Sequence, residues 1–365
     1  MVGIDHTNPV PLYQQIIEDI QNQIETGRLK SGDRIAPNIE LAKSYDVSLI
    51  TIKKAIAELI REGLLYGRVG KGTFVAENGS VPSGGETIGL VLTDFHNPFF
   101  IQISHHLETR SPACGYKLLF SYSSNDFERE ENQIRHFQEL GVRGLIIAST
   151  EHTNRVPRIV SELHETGFPY VMISFIDDPA IHYVGTDHEM GAMMAAEYLI
   201  RSGCRKLGYI NAERGNPLGA FRRQGFLLAL REHGLDYIPE FEFAFPASRQ
   251  DYESGFAIGE DFCRLLDRPD GVFAFNDHSA LGFERALRAG GLRIPGDVSL
   301  VGFDDVFFPV PPPVPLTTIH QPTGQIANRA LDILAAQMEG RPFETRTILK
   351  PALIERESCR ARDGG

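Results

Sequence analysis

The chain has 365 residues, 42% of them hydrophobic, and a formal net charge of -12. That length exceeds one domain of common size, and the acidic balance excludes a general polyanion binder. No stretch reaches the roughly 18 continuous apolar residues of a membrane span, the N-terminus carries no signal segment, and Cys114, Cys204, Cys263 and Cys359 form no C-x-x-C pair that would suggest zinc or a disulfide framework. A cytoplasmic chain with reduced thiols is the expectation.

Leu12, Tyr13, Ile16, Ile20 and Ile24 recur at helical spacing up to Gly27 and predict an amphipathic first helix. The stretch from Asn38 to Val75 then reads as a helix, a turn, a second helix and a two-stranded wing. Ile39, Leu41, Ala42 and Tyr45 belong to the first of that pair, and Asp46-Val47 breaks it. Ser48 is a good N-cap, because its hydroxyl can accept from the orphan N–H groups of the next turn. Ile52, Ala55, Ile56, Leu59 and Ile60 make one buried stripe, with Lys53 and Lys54 outside it and Gly63 as the stop. Gly67, Gly70 and Gly72 suit a hairpin whose tip carries Arg68 and Lys71. From Gly27 to Val75 there are nine basic residues against five acidic ones, so a locally basic module sits on an acidic chain. A helix pair with a basic second helix and a basic wing suits duplex DNA, the helix in the major groove and the wing on phosphates.

Asn78–Glu86 (NGSVPSGGE) has linker composition. From Thr87 apolar runs alternate with helical stretches: IGLVLT, YKLLFSYS, GLIIAS, YVMIS, KLGYIN, GVFAFN and VSLVGFD read as strands, with helices between them. Repeated β-α units mean parallel sheets with helices on both faces, and the length allows two lobes with a cleft between them. Ligands of such sheets sit at the carboxyl ends of the strands. Asp94 to Phe100, Ser174, Asn276-Asp277 and Asp304-Asp305 follow strand ends, and Arg222 lies just inside a helix. Carboxylates, amides and an arginine beside aromatic rings suit a polyol.

Two resemblances follow from these blocks. PLYQQI, GRLKSGDRI, ELAKSYDVS and GLLYGRVGKGTFV resemble the winged helix of GntR-type bacterial regulators, from about Pro11 to Val75. TIGLVLTDFHNPFF, FRRQGF, FAFNDHSALGFERALRAGGLRIPGDVSLVGFDD, PLTTIHQP and PALIERES resemble the effector domain of the LacI/GalR regulators, which shares its fold with periplasmic sugar-binding proteins. The combination resembles the arabinose-repressor type of GntR regulator. It implies an α/β chain: a winged helix-turn-helix over 1–77, a linker over 78–86, and a two-lobed periplasmic-binding-protein-like domain with parallel sheets over 87–358. Its lobes would be 87–187 with 318–340, and 188–317 with 341–358, the chain crossing near Asp187, Leu316–Gln321 and Arg341.

By the same resemblance Thr51, Lys53, Arg68, Gly70 and Lys71 fall on DNA-contact positions, and Ser48, Leu49 and Lys54, at the start and on the face of the second helix, join the expected DNA-binding set. Phe99, Ser174, Arg222, Asn276, Asp304 and Gln321 fall on effector-binding positions, and Asp94, following the first strand, joins the expected effector set from its place. The arginines usual in the two helices are replaced by Ile39 and Leu49, so the usual operator is not implied. Leu49 and Ile50 either touch thymine methyls or are plain helix surface. The function implied is a ligand-responsive DNA-binding repressor of sugar-utilisation genes, acting as a homodimer on double-stranded operator DNA. The alternative is a sugar sensor that has lost strong DNA binding. Enzyme signatures are lacking: Gly67–Gly72 is neither G-x-G-x-x-G nor a P-loop, no G-x-S-x-G elbow occurs, and the twelve histidines show no metal-ligand spacing. Asp187-His188-Glu189 reads as a polar turn. No catalytic residue, metal or cofactor is expected.

Overall fold

The computed structural model describes residues 10–61, 64–68, 72–75, 86–93, 97–149, 156–176, 178–212, 215–245, 251–308 and 311–360, without the side chains of 25, 57, 60, 61, 66–68 and 72. The chain divides into two compact units near Glu86. Asp94, Gly63, Gly70, Lys71, the side chain of Arg68 and most of the expected linker lie outside the described residues.

The first unit contains α1 (Leu12–Glu25), α2 (Asn38–Ser44), α3 (Leu49–Arg61), β1 (Leu65–Arg68) and β2 (Gly72–Val75). Ile16 and Ile20 of α1, Leu41 and Tyr45 around α2, and Ile52, Ala55, Ile56 and Leu59 of α3 close one small core with Leu65 and Val75 of the wing. The wing is an antiparallel pair in which Leu65 faces Val75 and Arg68 faces Gly72. The turn between α2 and α3 passes through Asp46 at φ +51, a conformation Asp tolerates because its short side chain bonds locally. Ser48 then caps α3 by accepting from the Thr51 N–H at 3.1 Å.

The second unit runs β3 (Glu86–Leu92), α4 (Pro98–Arg110), β4 (Tyr116–Tyr122), α5 (Phe127–Glu139), β5 (Leu145–Ile147), α6 (Arg158–Thr166), β6 (Tyr170–Met172) and β7 (Tyr183–Thr186). It continues with α7 (His188–Arg201), β8 (Leu207–Asn211), α8 (Pro217–Glu232), β9 (Glu242–Ala244), α9 (Asp251–Arg264), β10 (Gly271–Ala274), α10 (Asp277–Ala289) and β11 (Ser299–Asp304). It closes with β12 (Thr317–His320), α11 (Thr323–Met338), β13 (Arg346–Leu349) and β14 (Ala352–Ile354). Two six-stranded sheets result, in the orders β13-β7-β6-β5-β3-β4 and β14-β12-β11-β10-β8-β9. The described pairings are parallel except the antiparallel edge pair β12–β14. Each sheet with its helices is one lobe. The central strands β5, β6, β7, β10 and β11 are buried along their whole length, as parallel strands covered on both faces must be.

Several helices begin earlier than their apolar periodicity suggests, because an Asn or Asp side chain caps them. Asn97 accepts from the Phe99 N–H, Asp126 from Arg129, Asp187 from Met190, Asn216 from Gly219 and Asn276 from Ser279. Asp187-His188-Glu189 is therefore a helix start rather than a polar turn. The lobe boundaries also need correction. Thr317–His320 pairs with β11 in the second sheet, while Arg346–Leu349 pairs with β7 in the first. The third crossing falls at Lys350-Pro351, between β13 and β14, instead of near Arg341. Strands of three or four residues with mixed polarity, such as TTIH and RTIL, carry no periodic signal strong enough to place them.

Candidate functional site

In the first unit the exposed face of the helix pair carries Lys43, Ile39, Leu49, Ile50 and Lys53. Ser48 and Thr51 are bound to each other, their hydroxyl oxygens 2.8 Å apart. Lys54 holds its ammonium 3.7 Å over the Tyr13 ring, turned toward α1. Of the two neighbouring lysines, Lys53 is thus the one placed for an outside anion. Arg68 sits on β1 beside the wing tip, and its side chain, like Gly70 and Lys71, lies outside the described residues.

In the second unit the strand ends of the second lobe build a polar cluster around Arg222, which is only 2% exposed. It projects from α8, one turn before Gly225, where α8 crosses α7 so closely that a Cβ would lie 2.0 Å from the Glu189 carbonyl oxygen. The guanidinium lies 3.7 Å over the Phe303 ring and 4.5 Å from the Phe275 ring. It donates to the Phe275 carbonyl and faces Asp304 Oδ1 at 3.7 Å. The chain leaves β11 through Asp304 and Asp305, at φ +116 and +58. Two consecutive left-handed residues without glycine are strained, and strain of this kind collects at functional sites. Asp304 Oδ1 also accepts from Gln321 Nε2 at 2.7 Å. Asn276 caps α10 with its oxygen and donates its amide to Asp251. Arg222, Asp304 and Gln321 are therefore one connected group, with Gln321 on the second crossing segment, and Asn276 directly follows Phe275, whose carbonyl Arg222 meets.

The first lobe adds polar and aromatic side chains of its own. Ser174 accepts from the Ser149 N–H at 2.8 Å, and the Ser149 hydroxyl donates to buried Glu130 at 2.6 Å. Next to Ser174, Phe175 packs on Phe221 of α8 with ring centroids 4.6 Å apart, so aromatic contact bridges the lobes beside Arg222. Phe99, half-buried, stands at the start of α4 against Phe100 at 5.2 Å. One turn on, Gln102 donates to the Asp305 carbonyl at 3.2 Å. Phe175, Phe221, Phe275, Phe303 and Asp251 escaped the sequence reading. Phe275 and Phe303 immediately precede expected site residues, but nothing in an apolar strand marks which ring will cover a cation.

Burial and charge set the protonation states. Burial pushes the Asp304 carboxyl up to about 6, and Arg222 opposes this. Asp277, fully buried, is raised well above the usual carboxylate range by burial and by the Asp304 charge; it accepts from the Thr318 hydroxyl at 2.5 Å and the Val306 N–H at 3.0 Å. His188, against Phe303, is lowered well below the ordinary imidazole value by burial and by Arg222. At neutral pH Arg222 and Asp304 are thus charged and matched, while His188 is neutral.

A winged helix joined to a two-lobed domain with such a cleft is the build of a ligand-responsive transcriptional regulator. Residues 12–75 match the family of bacterial regulatory proteins, gntR family, and residues 196–359 match the periplasmic binding protein-like domain. The chain thus carries a GntR-type winged-helix head and a periplasmic-binding-protein-like domain. It is 29% identical over 360 residues to the arabinose metabolism transcriptional repressor of Geobacillus stearothermophilus, covering 96% of this chain and 98% of that one. A solved complex of the transcriptional regulator CelR with cellobiose is 26% identical, with a TM-score of 0.66, over 85% of this chain and 90% of that one. A LacI family regulator from Lactobacillus casei with bound glucose is 28% identical, with a TM-score of 0.63, over 75% of this chain and 99% of that one.

Proposed function

We propose that this protein represses sugar-utilisation genes from the cytoplasm, binding operator DNA as a homodimer through its winged helices, and that a small neutral sugar between the lobes sets its DNA affinity. One observation carries the effector class: the buried Arg222 is already matched by Asp304 and sandwiched by Phe303 and Phe275. A phosphorylated ligand would have to break that pair, whereas hydroxyl groups can donate to Asp304 and accept from Arg222 and Asn276. Asp94, Phe99, Ser174 and Gln321 complete the effector set from the first lobe and the crossings. Residues 1–77 act as head, 78–86 as linker and 87–358 as effector unit. Nothing in this reading requires turnover of the ligand, and the relatives carry the name of repressors.

Thermal unfolding against a panel of pentoses, hexoses, sugar alcohols and their phosphates tests the proposal. A neutral sugar at about 100 times its Kd adds roughly 2.7 kcal/mol to the unit that binds it, and a clear upward shift with a neutral sugar is expected. A shift only with the phosphates would overturn the neutral-sugar reading. The apolar residues exposed on the head favour a second reading, a sensor with weakened DNA binding. Steep loss of DNA affinity with salt would exclude it, since counterion release requires phosphate contacts.

A further inference from the structure

We infer that Leu49 and Ile50 select thymine in the operator, through the thymine 5-methyl group in the major groove. This rests on the reading of the head as DNA-binding. Both residues lie in the first turn of α3, the part of a recognition helix that meets base edges. Leu49 is 38% and Ile50 80% exposed, and Ile39 in the first turn of α2 is 63% exposed. A lone aliphatic side chain on a surface is ordinary. Here two adjacent ones are followed, one turn later on the same side of the helix, by exposed Lys53, and α2 adds exposed Lys43. That positive border matches a phosphate backbone and argues for nucleic acid as the occupant.

What lies between the phosphates then follows from chemistry. Leu49 and Ile50 can neither donate nor accept. Set against guanine O6 and N7, cytosine N4 or adenine N6 and N7, they would strip water from polar atoms and return nothing. The thymine methyl is the apolar group on the major-groove edge of the ordinary base pairs, so aliphatic residues favour A·T pairs. Thr51, the next polar residue of this turn, is engaged with the Ser48 hydroxyl in the cap, leaving the aliphatic pair to discriminate. Lys53 adds affinity without reading sequence.

The test starts by enriching duplexes from a random pool with the full chain. The enriched duplex is then resynthesised with deoxyuridine in place of thymidine at one pair at a time, which removes only the methyl. Binding should weaken about fourfold per contacted methyl, the worth of one buried methylene-sized group. The double variant Leu49→Ser, Ile50→Ser should lose this sensitivity and keep its salt dependence. Leu49→Arg should move the preference at that position toward guanine, which arginine reads bidentately. Both side chains replaced are exposed, and circular dichroism checks that the helices persist. Indifference of the wild type to deoxyuridine, or enrichment of G·C pairs at the protected positions, overturns the inference and leaves DNA binding standing. Enrichment of no duplex at all overturns the DNA-binding reading as well, so the two failures are distinct.

Discussion

Arg222 illustrates how one residue can organise a site. A buried guanidinium is tolerated only if its charge and its donors are answered, and here two rings, one carbonyl and one carboxylate answer it. Asp304 is the partner a ligand can reach electrostatically, because its carboxyl titrates at about 6. The sign is clear. Sugar hydroxyls donate to the ionised carboxylate, so effector affinity is level above about pH 6 and falls by up to tenfold per unit below it. Titrations from pH 5 to 8 should show this break, and Asp304→Asn should remove it. The same raised value makes the protein alone bind more protons folded than unfolded between about 3.9, the ordinary Asp value, and 6. The Asp304 contribution to stability is therefore greatest below that window and is lost as pH rises through it. Asp304→Ala should abolish the effector response while DNA binding is retained, read by gel shift with and without sugar. Lys53→Ala should do the reverse: weaker DNA binding with a salt slope reduced by about one, and unchanged sugar binding.

At the scale of elements, the helices owe their positions to caps and to glycines at close crossings. Ser48 holds the first turn of α3, and Ser48→Ala should cost about 1 kcal/mol of head stability, measured by denaturant unfolding. In the second unit Gly225 lets α8 approach α7 until only hydrogen fits, and Gly255 and Gly282 do the same for α9 and α10, where a Cβ would stand 2.0 Å from the Ser279 and Tyr252 carbonyl oxygens. Backbone cannot retreat as a flexible side chain can. Gly225→Ala should therefore cost about 1–3 kcal/mol through forced separation of the helices, and it should also weaken effector binding, because α8 carries Arg222 three residues earlier.

The two-lobed unit is joined by three crossings and closed beside the cluster by Phe175 on Phe221. A ligand regulates only if it binds one arrangement of the lobes better than another. An aromatic pair of this kind is worth about 0.5–1.5 kcal/mol beyond its buried area. Phe175→Ala should accordingly raise the effector Kd several-fold, seen by calorimetric titration, while leaving the intact head to bind DNA. The proposed homodimer, in which each winged helix reads one half-site, predicts that sedimentation of the protein with a full inverted repeat gives two chains per duplex.

The local chemistry of this chain was settled by its sequence. Ser48 as a cap, the Ile52-Ala55-Ile56-Leu59 stripe, and the apolar runs that became buried parallel strands are consequences of period and side-chain type, which act over a few residues. The motif blocks also placed Asn276, Asp304 and Gln321 at strand ends and Arg222 in the helix that became α8. Only the tertiary structure decided that Arg222, Asp304 and Gln321 meet, that Phe303 and Phe275 flank the guanidinium, and that burial raises the Asp277 carboxyl and lowers the His188 imidazole. Charge state depends on burial, and burial depends on contacts between residues far apart in the chain. The third crossing moved from Arg341 to Lys350-Pro351 for a related reason. A four-residue edge strand has too short a pattern to announce its sheet, and its place is chosen by the neighbour that offers it hydrogen bonds.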